Sequence, residues 1–195
     1  MSGVDSAVGP TVEQARAVLE AGHLWWGWYC GYQGVPGAPA AFHKWRQDEV
    51  DVLAAAGFEL SLPIFFPHMT TAGRIVPGAS PELDADLAVY AVGVYGWHGV
   101  VALDTEASMR GDPWTAVYTH RWCAQVLARG WEPVVYAGGF TFGSPPPPPC
   151  YPWWIIPGGS QAPPGTAWQT GQTTIAGLHV DTDSIGSGFP LATRA

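Results

Sequence analysis

The first two thirds of the chain repeat one pattern, in which a short apolar segment is followed by a loop, a capped helix and a glycine. In the first unit Thr11 caps a helix, Gln14 is its capping-box partner, and Gly22 ends the helix. The predicted strands are residues 3–7, 23–29, 58–66, 100–103 and 134–136, and the later helices are residues 47–56, 80–95 and 112–130. Strands that alternate with helices predict an α/β fold with a parallel sheet and right-handed crossovers.

The last third of the chain has a different pattern. Residues 144–150 include five consecutive prolines, which predict a stiff polyproline segment in place of a helix. Three short strands are predicted at residues 153–156, 166–169 and 178–181, with no helix-length segment between them. Eight strands are enough to close a barrel, so we predict one TIM-like barrel domain over residues 1–195, of the (β/α)5β3 type, without the last outer helices. An open, doubly wound sheet is the alternative.

Composition limits the partners of this domain. Of the 195 residues, 47% are apolar and 12% are charged, which suits a single domain with a full core. The net charge is −8 and no basic run occurs, so nucleic acid is not an expected partner. No stretch approaches the roughly 20 apolar residues of a membrane span. Eleven tryptophans exceed the needs of a core of this size, and flat aromatic faces suit sugar rings.

The N-terminal residues lack the basic and apolar segments of a signal peptide, so we expect synthesis in the cytoplasm. Cys30, Cys123 and Cys150 are predicted to be thiols rather than disulfides, because nothing indicates an oxidising compartment. Neither these cysteines nor the six histidines have metal-ligand spacing. We therefore expect no metal and no organic cofactor.

Acidic residues follow three of the predicted strands. Asp5 lies in the second half of the first strand, Asp104 and Glu106 are at the end of the fourth, and Asp181 and Asp183 are at the end of the eighth. Side chains at the C-terminal ends of barrel strands converge, which is where active sites of such barrels lie. Asp104 and Glu106 are predicted to point the same way, with Cα atoms roughly 6.5 Å apart. Glycoside hydrolysis requires a protonated carboxylic acid beside an ionised one, and crowding sets their pKa values apart.

The same residues also have a structural interpretation. An Asp-x-Glu at a strand end is commonly a helix cap or a solvated loop, Asp5 can cap the turn before Pro10, and Asp181 with Asp183 can form an Asx turn. The functional interpretation depends on all three sites falling at predicted strand ends.

Several short motifs together resemble one family. They are Gly3-Val4-Asp5, Leu62-Pro63-Ile64-Phe65, Leu103-Asp104-Thr105-Glu106, Val134-Val135-Tyr136, Trp153-Trp154-Ile155, Trp168-Gln169 and Val180-Asp181-Thr182-Asp183. In this order, over nearly the whole chain, they resemble the glycoside-hydrolase-like barrel domain of actinobacteria and their phages, a relative of the family 25 lysozymes (muramidases). The resemblance implies a barrel of five strand–helix units plus three strands.

The resemblance also implies roles for four acids. Glu106 matches the proton donor of the lysozymes, and Asp104, Asp5 and Asp181 match the residues that complete the site. Asp183 stands where the lysozymes commonly have asparagine.

Aromatic and polar residues near the predicted strand ends are candidates for substrate contact. Tyr136 and Trp168 are the preferred ligand-facing aromatic residues, and Asp183 and His68 are further candidates. Tyr29 and the tryptophans of the second strand are weaker candidates, because alternation along a strand turns half of its side chains towards the helices.

Two functions are consistent with these features. The first is a glycosidase that acts on bacterial cell-wall glycan (peptidoglycan), with Glu106 as general acid and Asp104 assisting. The second is a catalytically silent glycan-binding or structural module, for example a phage virion component that contacts the host wall together with other virion proteins. In either case the expected site of action is the bacterial cell wall or a phage particle.

Overall fold

A computed structural model describes residues 1–32, 44–70, 72, 74–105, 112–137, 150–155, 158–159 and 161–194. Its strands are β1 (Ser2–Asp5), β2 (Trp25–Tyr32), β3 (Leu60–Phe66), β4 (Trp97–His98), β5 (Val100–Asp104), β6 (Glu132–Ala137), β7 (Tyr151–Ile155), β8 (Ala167–Ile175), β9 (Leu178–Ile185) and β10 (Ala192–Arg194). Its helices are α1 (Val12–Glu20), α2 (Gln47–Ala56), α3 (Pro81–Val94) and α4 (Pro113–Ala128). The predicted proline segment lies outside the described residues, apart from Cys150.

Eight strands of the described ranges form a closed barrel, in the order β1-β2-β3-β5-β6-β7-β8-β9, with β9 pairing again with β1. Neighbouring strands from β1 to β8 are parallel, whereas β9 is antiparallel to β8 and to β1. Strand β10 pairs with the start of β3 and with β4, outside this ring. The predicted α/β barrel of eight strands is confirmed, but the sheet is mixed, so it is not the all-parallel arrangement of a TIM barrel.

The direction of β9 follows from a tight turn. Ala176 and Gly177 join β8 to β9, and both have positive φ, 50° and 79°. Positive φ at both central residues is the conformation of a two-residue hairpin turn, and such a turn can connect only antiparallel strands. The strands predicted at residues 166–169 and 178–181 are both present but longer than predicted, and their hairpin pairing was not predicted because Ala-Gly is not among the dipeptides that mark this turn.

The helices begin where the sequence predicts. Thr11 Oγ1 accepts a hydrogen bond from the Gln14 backbone N–H, and Gln14 Oε1 accepts one from the Thr11 N–H, which completes the capping box of α1. Ser80 and Asp112 cap α3 and α4, and each is followed by proline at the first helical turn. The four helices of the described ranges follow β1, β2, β3 and β5. None of them has both the length and the apolar character needed to cross a membrane.

Side chains of β2 divide between two layers of the core. Trp26 and Trp28 face outward and pack against Trp45, with ring centroids 6.4 Å apart in both pairs. Trp25 faces the barrel interior, where its ring lies 6.1 Å from that of Trp153. All of these indoles are buried. The expected alternation along this strand is therefore present, and much of the tryptophan excess serves packing.

All three cysteines lie in the described part of the chain, and no disulfide joins them, as predicted. Cys30 is buried in β2, and loss of hydration raises the pKa of its thiol to about 12. Cys123 of α4 and Cys150, just before β7, are hydrogen-bond partners.

The close approach of Trp25 to Gly3 predicts a sharp stability effect. A Cβ atom at Gly3 would overlap the Trp25 indole, so Gly3→Ala should lower the free energy of unfolding by about 1–3 kcal/mol. Gly171→Ala in β8 is the matched control, because its Cβ would lie 3.6 Å from Thr182 Oγ1, an ordinary contact. Urea denaturation followed by circular dichroism measures both variants. Equal stability of the two variants would show that the indole is not fixed against β1.

Candidate active site

Acidic side chains meet at the C-terminal end of the parallel strands. Asp5 is the last residue of β1, and Asp104 is the last residue of β5. On β9, Asp181 lies directly opposite Asp5, and Asp183 lies opposite Gly3. Residues opposite one another in an antiparallel pair point to the same face, so Asp5, Asp181 and Asp183 share the interior face of the barrel. We call Asp5, Asp104, Asp181 and Asp183 the acidic cluster.

Asp104 is completely buried, and contacts from β2 and β6 hold it and the residue that follows it. The Tyr29 hydroxyl of β2 donates a hydrogen bond to Asp104 Oδ2 at 3.1 Å. The next residue, Thr105, donates from its backbone N–H and its hydroxyl to the carbonyl oxygen of Tyr136, at 2.8 and 3.0 Å. These contacts fix the chain at the end of β5, immediately before Glu106, which lies outside the described residues.

Asp5 and Asp183 form a carboxyl pair inside the barrel. Asp183 is only 2% exposed, Trp153 Nε1 donates to its Oδ1 at 3.1 Å, and the Asp5 carboxyl is its hydrogen-bond partner. Burial raises the pKa of Asp183 well above its usual range, and the charge of Asp181 raises it further, while the hydrogen bonds oppose the rise. Asp5 has room here because Gly27 lacks a side chain, since a Cβ at Gly27 would lie 2.6 Å from the Asp5 Cβ.

Asp181 is half-buried nearer the mouth of the barrel. Burial raises its pKa, and hydrogen bonds from the side chains of Gln172 and Gln169, together with the charge of His179, oppose this rise. Gln169 in turn accepts a hydrogen bond from the Tyr136 hydroxyl through its Oε1. A chain of polar contacts therefore connects Asp181 to β6.

The residues predicted to contact a substrate lie in different places in the structure. Tyr136 faces the interior, pairs in register with Asp104, and packs its ring 4.3 Å from that of Trp153. Trp168 lies between Ala167 and the interior residue Gln169, so it points to the outer face of β8 and away from the acidic cluster. His68 follows β3 and is exposed, and its charge acts on Asp84 of α3. Contact of these residues with a substrate stays a prediction.

Asp183 is the least exposed of the residues predicted to contact a substrate, at 2%, and the Trp153 indole N–H lies against its carboxyl. A contact of Asp183 with substrate stays a prediction.

Three neutral side chains make polar contacts in the site: Tyr29, Trp153 and Gln169. The sequence indicated Tyr29 only as a weaker candidate for substrate contact and did not single out Gln169. The alternation of side chains along a strand was the available signal for two of them. Tyr29 lies two residues beyond Gly27, which pairs with Asp5, so the two positions share a face of β2. Gln169 follows Trp168 directly, so these two side chains point to opposite faces of β8. Among the described residues, no group of three or more histidine, cysteine or acidic side chains is arranged to hold a metal ion.

The environment of Asp181 can be tested directly. Gln172 is exposed, so Gln172→Leu removes a hydrogen-bond donor without disturbing the core, and the pKa of Asp181 should rise further above its ordinary value. NMR titration of the labelled Asp carboxyl carbons measures this change. Gln47→Leu, on the exposed face of α2, should leave the titration of Asp181 as it is in the wild type. An unchanged Asp181 in the Gln172 variant would contradict the assigned contact.

Comparison with known proteins identifies the fold. No protein-family model and no curated protein matches the sequence. The catalytic domain of an endolysin from a Listeria monocytogenes bacteriophage is similar in structure, with a TM-score of 0.64, 14% identity, and coverage of 96% of this chain and 93% of that domain. An uncharacterised B. stearothermophilus protein gives 0.65 and 18%, over 94% and 95% of the two chains. A Tat-secreted Mycobacterium tuberculosis protein in complex with HEPES gives 0.63 and 15%, over 97% and 98%. The chain therefore shares a barrel fold with these proteins over nearly its whole length.

Proposed function

We propose that this chain is a glycosidase that acts on bacterial cell-wall glycan, with a muramidase-like reaction. The observation that carries this proposal is the convergence of Asp5, Asp104 and Asp181 at one end of a closed barrel. Similarity in fold to a phage endolysin catalytic domain supports a cell-wall substrate. The short sequence motifs that resemble the family 25 lysozymes support the same substrate class.

The proposed reaction requires one acid that is protonated and another that is ionised. Glu106 donates its proton to the leaving glycosidic oxygen as the bond to the anomeric carbon breaks, and water then adds to that carbon and returns a proton to the Glu106 carboxylate. Asp104 assists, either by stabilising positive charge on the sugar or by positioning the acetamido group of the substrate. When carboxyl groups are crowded together, some stay protonated while others ionise. In this site, burial raises the pKa of Asp181 and of Asp183.

A catalytically silent wall-binding or structural module, such as a virion component, is the second candidate. It is favoured by the deep burial of the acids, since Asp104 is 0% and Asp5 7% exposed. Groups that meet a substrate need access to it, so this burial suits an acidic cluster that holds the barrel together. Sedimentation with purified cell walls, measured alongside their hydrolysis, separates the two candidates.

Removal of the proposed general acid gives the first functional test. Glu106→Gln keeps the size of the side chain but cannot release a proton, so it should slow the clearing of cell-wall suspensions by about 10²–10⁴-fold. Glu20→Gln, an exposed change at the end of α1, is the matched control and should clear walls at the wild-type rate. Equal rates for wild type and Glu106→Gln would remove Glu106 from the mechanism. A wild-type protein that sediments with walls without clearing them would favour the silent module.

The role of Asp104 has its own test. Asp104→Asn keeps an oxygen that can accept the Tyr29 hydrogen bond but removes the charge, so it should be nearly as damaging to wall clearing as Glu106→Gln. Asp48→Asn on α2 is an exposed control for the same chemical change. Circular dichroism checks that both variants fold. A folded Asp104→Asn protein with wild-type activity would limit Asp104 to a structural role.

A further inference from the structure

The hairpin of β8 and β9 continues beyond the acidic cluster. Strand β8 is parallel to β7, so its C-terminal part lies at the same end of the barrel as that cluster. Beyond the pair of Gln172 with Asp181, the hairpin continues to the turn at Ala176 and Gly177. The remaining pairs are Thr173 with Val180, Thr174 with His179, and Ile175 with Leu178. We call residues 172–180 the hairpin arm.

A β-bulge determines which side chains of the hairpin arm face the barrel mouth. The register of β8 against β9 shifts at Thr170, which is an extra residue with none directly opposite it. One extra residue reverses the alternation of the side chains that follow, and it places Gln172 opposite Asp181, on the interior face. Thr170 Oγ1 donates a hydrogen bond to the carbonyl oxygen of Thr182 at 3.0 Å, which holds the bulge in place.

The two faces of the hairpin arm differ in polarity. Residues opposite one another in an antiparallel pair share a face, and successive residues alternate between faces. Three apolar side chains of the outer face pack against the core: Ile175, Leu178 and Val180. The side chains of the inner face are polar and exposed: Gln172, Thr174 and His179. The outer face therefore serves the fold, and the inner face extends the mouth of the barrel above the acidic cluster.

Helix α1 holds the tip of the hairpin arm. Gln14 Nε2 donates a hydrogen bond to the carbonyl oxygen of Ala176 at 3.3 Å, and the capping box of α1 fixes Gln14 itself. The arm thus has a packed outer face and an anchored tip. A surface on such a support loses little conformational entropy when it binds a ligand, which favours recognition.

The side chains of the inner face indicate a class of ligand. Amide, hydroxyl and imidazole groups each can donate and accept hydrogen bonds. An anionic ligand such as a phosphate calls for Lys or Arg, which the hairpin arm lacks, and Asp181 adds a negative charge at its base. An apolar ligand would leave the polar groups unpaired. The inner face therefore suits a neutral ligand rich in hydroxyl and amide groups, such as an N-acetylated sugar.

We propose that Gln172, Thr174 and His179 form a sugar-binding surface, which holds an N-acetylated sugar unit beside the bond that is cleaved. Side chains two residues apart on a strand are separated by roughly 6.5 Å, so the step from Asp181 to His179 suits a single sugar ring. The choice of ligand rests on the proposed glycosidase function, whereas the arrangement of the surface does not depend on it.

Binding of chitotetraose, a soluble chain of N-acetylated sugars, tests this surface without an activity assay. Thr174→Val keeps the shape of the side chain but removes its hydroxyl, so the Kd should rise about 3–10-fold, the scale of one hydrogen bond. Thr173→Val is the matched control, because Thr173 is the preceding residue and points to the outer face. Isothermal titration calorimetry measures both variants. Equal Kd values for Thr174→Val and the wild type overturn the proposal, as does a wild type that does not bind chitotetraose.

The imidazole at the same level of the hairpin arm gives a second binding test. His179→Ala should weaken the binding of chitotetraose, whereas His120→Ala, an exposed change on α4, should not. NMR spectra of the labelled wild type should show that chitotetraose shifts the amide signals of residues 172–180. Shifts confined to other parts of the chain would place the sugar elsewhere and overturn the surface.

Wall clearing distinguishes failure of this surface from failure of the proposed function. In a glycosidase, Thr174→Val should raise KM by a similar factor and leave kcat near that of the wild type, because its hydroxyl lies beyond the acids. Wild-type clearing with an unchanged KM in Thr174→Val would reject the surface and leave the glycosidase standing. A wild type that binds chitotetraose through the hairpin arm without clearing walls would reject the glycosidase and leave the surface standing.

Discussion

The interior of a closed barrel is shared by side chains from every strand, and two glycines determine how this barrel divides that space. The bare backbone at Gly3 lets the Trp25 indole lie across β1, and the bare backbone at Gly27 leaves room for Asp5. Trp153 packs against Trp25 inside the barrel and also donates its indole N–H to Asp183, so the indoles border the carboxyl groups. The steric fit between small and large residues thus helps to determine where the carboxyl groups lie, independently of their charge.

Electrostatics then decides the state of those carboxyl groups. An ionised group without compensation is costly inside a protein, and no basic side chain of the described residues acts on Asp183. Hydrogen bonds from Tyr29 to Asp104 and from Trp153 to Asp183 provide part of the compensation, and burial raises the pKa of Asp183. Perturbed carboxyl groups of this kind are concentrated at functional sites, although structural networks also produce them.

Local signals in the sequence were sufficient for the helices and for the positions of most strands. Thr11 with Gln14, and Asp112 with Pro113, contain within a few residues all the information that starts a helix. The direction of β9 depends on how Ala176-Gly177 turns, which composition does not reveal. The partners inside the site are distant along the chain, since 75 residues separate Tyr29 from Asp104. Sequence spacing therefore placed the acids at the correct end of the barrel but missed the neutral groups that hold them.

The pairing of β1 with β9 has a consequence for how the molecule reaches this state. Ser2 pairs with Ser184, so β1 gains its second neighbour only after β9, far along the chain, has been made. Contacts of such long sequence separation carry a large loop-closure cost and slow the folding of a domain. Until β9 docks, one edge of β1 remains available to other chains. Asp5 and Asp183 lie on the two sides of this seam, so they come together only when β9 docks on β1.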